Sequence, residues 1–92
     1  MKVIWSPEAE ADLVDAWTFI AADRRNTADA VEMRIVDAVE SLGDFPRKGR
    51  PGKDPGTREL VVHRTPYIVI YRLRSEDLEI VRIWHGSREP FE

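Results

Sequence analysis

Pro66-Tyr67-Ile68-Val69-Ile70-Tyr71-Arg72 sets an unbroken run of β-branched and aromatic residues between a proline and an arginine. Successive side chains of a strand point to opposite faces, so this run is apolar on both and belongs in the middle of a sheet. The central strand is expected over Tyr67–Arg74, and two similar runs flank it, Arg58–His63 and Leu78–Trp84, rich in the residues that strands favour. Arg64-Thr65-Pro66 and Ser75-Glu76-Asp77 read as turns, which joins the three runs as antiparallel hairpins. Strict alternation along the last run places Leu78, Ile80, Arg82 and Trp84 on one face. Glu79, Val81, Ile83 and His85 then fall on the other.

Upstream, the pattern changes period. A short β-prone segment, Lys2 to Trp5, ends at Ser6-Pro7, where serine caps a helix and proline occupies its first turn. Glu8 and Glu10 complement the positive end of the helix dipole. Ala9, Leu13, Ala16, Trp17 and Ile20 then recur at helical spacing, predicting a helix over roughly 7–23, with Asp12, Asp15 and Asp23 mostly off the stripe. Thr27 is the expected cap of a second helix with the stripe Val31, Ile35, Ala38, Val39 and Leu42. Gly43 is its expected terminator. The short break between them predicts an antiparallel helix hairpin. From Asp44 to Thr57 prolines and glycines alternate with Arg47, Lys48, Arg50 and Lys53, predicting a basic connection without helix or strand, and Phe45 is expected to anchor it under the helices. The expected fold is α+β, a single domain over 1–92. It has a short N-terminal strand, then a helix hairpin packed on a mainly antiparallel sheet, in the order β-α-α-β-β-β.

A chain of 92 residues with 42% hydrophobic and 34% charged residues has room for one core. The absence of cysteine excludes disulfides, thiolate catalysis and cysteine–zinc knuckles. No apolar run is long enough for a membrane span, so the expected location is cytoplasmic. The net charge of -3 hides an asymmetry, about −6 over 1–45 against +3 over 46–92. A basic half this weak is a poor match for a protein living on counterion release from nucleic acid.

Chemistry-bearing motifs are sparse. Gly49-Arg50-Pro51-Gly52 lacks the spacing of a nucleotide-binding loop, and His63 and His85 alone make no metal site, so no cofactor or metal is expected. His63 reads as a solvated surface residue and the helical carboxylates as a wet face. Arg58, Arg72, Arg82 and Arg88 lie on or beside the strands with Tyr71 and His85. Such a set would hold phosphates or stabilise developing charge, with His85 or Tyr71 as acid or base. The plainer alternative pairs Arg82 with Glu59 or Glu79 and leaves His85 closing the sheet.

Ser6-Pro7-Glu8-Ala9 leading into Leu13, Trp17 and Ile20, then Arg58-Glu59-Leu60, Pro66–Arg72 and Ile80-Val81-Arg82-Ile83-Trp84-His85-Gly86-Ser87-Arg88, resembles the RelE/ParE toxin family of bacterial type II toxin–antitoxin (plasmid stabilisation) modules. The likeness covers essentially the whole chain, and its most specific part is the strand pair ending in His85-Gly86-x-Arg88. It implies one of two activities. RelE-like members cleave messenger RNA on the ribosome without metal, using basic residues of the sheet and C-terminal region. ParE-like members poison DNA gyrase and generally lack that set. The nuclease type usually carries an arginine where this chain has Ile68, and the tail Glu89-Pro90-Phe91-Glu92 is acidic. The resemblance therefore implies a ParE-like toxin without catalytic residues. The alternative is a ribonuclease using Arg58, Arg82, His85 and Arg88.

The same resemblance implies a cognate antitoxin, ParD-like with a ribbon–helix–helix DNA-binding domain, that wraps the toxin in a hetero-oligomer and alone contacts operator DNA. Phe19, Arg47, Arg50, Arg58, Arg72 and Arg82 are the expected antitoxin contacts. Phe19 lies off the main stripe, either facing a partner or widening the core-facing stripe, and the basic connection complements an acidic peptide.

Overall fold

The computed structural model describes residues 1–87. Its elements are β1 (Lys2–Trp5), α1 (Pro7–Ala21), α2 (Arg25–Asp44), β2 (Arg50–Pro51), β3 (Thr57–Val61), β4 (Tyr67–Leu73) and β5 (Asp77–His85). The strands form one sheet in the order β1-β5-β4-β3-β2, with the Tyr67–Leu73 strand at its centre as expected. β1 runs parallel to β5, and every other neighbouring pair is antiparallel. The expected α+β layering holds.

The helix pair covers one face of this sheet. Ala9 and Ala16 of α1 and Ile35, Val39 and Leu42 of α2 pack with Val69, Tyr71, Leu78, Ile80 and Ile83 in one core. Burying each of the larger aliphatic side chains contributes about 1.5–3 kcal/mol relative to leaving it in water. Small residues on α1 allow the close approach to the sheet. Ser6 starts the helix as its sequence implies, accepting a hydrogen bond from the Ala9 amide at 3.0 Å. Its hydroxyl also donates to the Val81 carbonyl at 2.9 Å, so one side chain caps α1 and ties it to β5.

Several local expectations are corrected. The second helix starts at Arg25 with Arg24 at its cap and no side-chain capping bond, leaving Thr27 inside the first turn. Tertiary ties fix this start instead: Trp17 Nε1 donates to Asp29 Oδ1 at 2.8 Å, and the Arg25 guanidinium lies 6.0 Å from the Trp17 ring. Gly43 is helical rather than a terminator, since α2 runs on to Asp44. Its role is close approach: the N-terminal ammonium donates to Gly43 O at 2.9 Å, and a Cβ here would sit 3.1 Å from Met1 O. Phe45 is no anchor, being 64% exposed. The Pro/Gly-rich connection does contain a strand, β2, paired to Arg58 and Glu59.

Alternation along β5 also breaks. A β-bulge shifts the register between Ile70↔Arg82 and Tyr71↔Ile80, leaving Val81 as the extra residue. Ile83 therefore joins Leu78 and Ile80 in the core instead of facing away from them.

Candidate functional site

The bulge matters because it re-aims Arg82. β1 stops pairing with β5 at Trp5↔Ile80, and α1 then passes the free edge of β5. Arg82 reaches round that edge to Asp12, with Nε to Oδ2 at 2.8 Å and a terminal nitrogen to Oδ1 at 3.0 Å. Asp12 Oδ2 also accepts the Ile83 backbone N–H at 2.9 Å. One carboxylate thus neutralises a cation and caps a strand-edge amide. The hydrogen bonds that Arg82 donates to Asp12 hold the pKa of its guanidinium above the ordinary range against the opposing effect of burial. The guanidinium lies 5.5 Å from the Trp84 ring as well. The expected pairing with Glu59 or Glu79 is overturned: Glu59 binds Arg50 at 3.1 Å and Glu79 binds Arg74 at 2.8 Å.

Beside this pair lies a groove of about 190 Å³ between α1 and β5, walled by Phe19, Tyr67, Trp84 and His85 and edged by Asp15. Phe19 is 65% exposed at its mouth, which removes the wider-stripe reading. His85 meets Tyr67 edge to face at 5.3 Å, and its Nδ1 accepts the Ser87 amide at 3.2 Å.

The remaining expected residues sit elsewhere. Arg58 donates to Gly49 O at 2.8 Å and so pins the connection to the sheet. Tyr71, a candidate acid or base from its residue type, is fully buried. Its hydroxyl donates to Pro46 O at 2.8 Å and accepts the Gly49 amide at 2.9 Å. Arg47 and Arg72 are exposed, on the connection and on β4 opposite Thr57. Ile68 lies between Val61 and Trp84 across the three inner strands. Arg82, His85 and Phe19 are therefore brought together, while Arg47, Arg50, Arg58 and Arg72 gather toward the β2 side. Arg88 and the acidic tail lie outside the described residues.

Asp12 is the site residue that sequence reasoning missed. Its one signal was its place on α1, six residues after the Ser6 cap and beside the Ala9–Ala16 stripe. Among the described residues, no three His, Cys, Asp or Glu side chains gather as metal ligands, and no helix is long and apolar enough to cross a membrane.

Comparison with known proteins places this geometry. Residues 3–90 match the family model described as the ParE toxin of the type II toxin–antitoxin system parDE. The chain belongs to the ParE toxin family. A Sinorhizobium fredii protein that carries the name toxin Y4kP is 36% identical over 88 residues, covering 96% of this chain and 91% of that protein. Toxin RelE2 of Caulobacter vibrioides is 33% identical over 87 residues, covering 95% and 97%. A solved structure described as the chromosomal ParDE TA system from P. aeruginosa superposes with a TM-score of 0.86 at 27% identity, covering 92% of this chain and 95% of that one. The helix hairpin on an antiparallel-rich sheet is thus the ParE fold, and the chain is a toxin of a type II toxin–antitoxin system.

Proposed function

We propose that this ParE-family toxin arrests growth in the cytoplasm by binding and poisoning DNA gyrase, and that a cognate ParD-like antitoxin neutralises it by tight binding. Operator DNA is then met only through the antitoxin's ribbon–helix–helix domain. One observation carries the reading: two arginines of the candidate nuclease set, Arg82 and Arg58, are committed to the fold rather than converging on a phosphate. Arg82 is bound in fork geometry by Asp12, and Arg58 is spent on the Gly49 carbonyl at the other side of the sheet. Ile68 offers no charge between them. Scission of RNA without metal needs a cation and an acid–base pair aimed at one phosphate. The ParDE assembly named for the P. aeruginosa neighbour supports an antitoxin partner.

Titrating the purified toxin into a gyrase supercoiling reaction is expected to inhibit supercoiling, and added antitoxin to relieve it. Unchanged supercoiling at every toxin concentration overturns the gyrase target. A RelE-like ribonuclease is the second reading, favoured by Arg82 and His85 sharing one groove. It requires codon-positioned cuts in transcripts after induction, lost in Arg88→Ala.

A further inference from the structure

The groove between α1 and β5 already holds one guanidinium, and it repeats the elements that hold it. Arg82 has its fork on Asp12 and its centre 5.5 Å from the Trp84 ring. Three residues further along α1, Asp15 edges the same groove, with the rings of Phe19 and Tyr67 among the walls. Asp15 is exposed and makes no ion pair among the described residues. The charges leave this groove acidic. Asp12 and Arg82 cancel, and His85 is neutral where its Nδ1 accepts the Ser87 amide. Glu8, one turn before Asp12, is near enough to favour the charged form of Arg82. Asp15 is thus left uncompensated at the mouth of an aromatic-walled groove.

A carboxylate beside ring faces is the chemistry that takes an organic cation, since the ring quadrupole attracts positive charge and the carboxylate fixes its place. A metal ion asks for clustered ligands, and none gather among the described residues. An anion is opposed by Asp15. A volume of about 190 Å³ suits one long side chain rather than a helix or a strand. Arginine fits better than lysine, because a guanidinium is planar, stacks on rings and is the more weakly hydrated. Arginines seated in such pockets are frequent anchors of protein interfaces.

We propose that the Asp15–Phe19 end of this groove receives the arginine side chain of a basic segment on a partner protein, a second guanidinium beside Arg82. The Asp15 carboxylate accepts its N–H groups, and Phe19 covers it from the mouth. The basic connection around Arg47–Lys53 lies toward the β2 side, so the two surfaces fit partners of opposite charge. The inference rests on the toxin reading only in making the toxin's target the natural carrier of such a segment.

The test uses the whole toxin and a capped peptide with one arginine between glycines, followed by NMR of the Trp84 indole N–H and the backbone amides of α1 and β5. Those signals are expected to shift on titration. A citrulline peptide, the neutral isostere, is expected to bind about tenfold or more weakly, with the lysine peptide between the two. Asp15 and Phe19 are exposed, so Asp15→Asn and Phe19→Ala leave the fold intact, and each is expected to weaken the arginine peptide about tenfold. Asp15→Asn is also expected to bring the arginine and citrulline peptides close to one affinity, which a merely steric role would not do. No shift at millimolar peptide, equal binding of the two peptides by the parent, or unchanged affinity in Asp15→Asn overturns the proposal. So does tighter binding by Arg88→Gln, which makes the chain's own Arg88 the occupant. Self-association of the parent that Asp15→Asn abolishes makes the occupant a second copy and overturns it too. None of these outcomes bears on gyrase inhibition, so the two readings fail separately.

Discussion

Asp12 and Arg82 illustrate how much one carboxylate does in a small domain. Asp12→Ala leaves the Arg82 guanidinium without its fork partner and the Ile83 amide without an acceptor. The expected loss is about 1–3 kcal/mol, read as a lower urea midpoint at unchanged slope. Asp12→Asn keeps an oxygen for the Ile83 amide but loses the charge and turns an NH2 donor toward the Arg82 terminal nitrogen, so it costs less than Asp12→Ala only by the Ile83 bond it retains. A guanidinium whose folded-state pKa is raised contributes stability below its unfolded pKa and loses it only as pH rises through the folded one. That window lies in strong alkali. Stability from Arg82 ionisation is accordingly flat through neutral pH, and a urea-midpoint series from pH 7 to 9 checks this when the parent and Arg82→Met are compared. A difference between the two chains that changes across the series would contradict it.

At the scale of elements, the two helices and the three long strands were legible, and the connection was not. Helix and strand periods are written in every residue of Ala9–Ile20 or Tyr67–Tyr71, because each buried position repeats the same signal. The connection is shaped by distant partners instead. Tyr71, Arg58 and Glu59 draw the 46–52 segment onto the sheet, and β2 follows from that. The bulge at Val81 was equally hidden, since a break in alternation leaves no local mark, and the expected face of Ile83 was wrong for that reason. Of the candidate site, Arg82, His85 and Phe19 were named from residue type, whereas Asp12 looked like one more solvated acid. The tie through Tyr71 is testable. Tyr71→Phe strips the Gly49 amide and Pro46 carbonyl of their buried partner, an expected loss of about 1–3 kcal/mol with faster hydrogen exchange at Gly49. Gly49→Ala reaches the same element from the other side. A Cβ there would stand 2.7 Å from both Glu59 O and the Tyr71 hydroxyl. The expected cost is again about 1–3 kcal/mol, with the loss concentrated in exchange protection of β2 and β3.

Across the whole molecule, the sheet is closed on one side by residues from the opposite end of the chain. β1 pairs Lys2–Trp5 with Asp77–Ile80, and Val3 and Trp5 pack against the core. The N-terminal ammonium meanwhile holds Gly43 O near the end of α2. Five residues, Met1 to Trp5, therefore join sheet and helix layer. Remove them and β5 keeps the Asp12 cap at Ile83 but exposes its unpaired backbone from Asp77 to Ile80 together with the apolar Leu78 and Ile80. A chain lacking residues 1–5 is expected to self-associate, with sedimentation velocity showing aggregate where the parent gives a single small species. Ile4→Lys serves as the control. Ile4 is 40% exposed and pairs with Glu79, so a lysine there keeps β1 in place and meets a carboxylate across the strands. A truncated chain that stays monomeric and unfolds cooperatively would show that the Ser6 and Asp12 side chains guard the whole of β5 by themselves, with β1 an ornament to the edge rather than its cover.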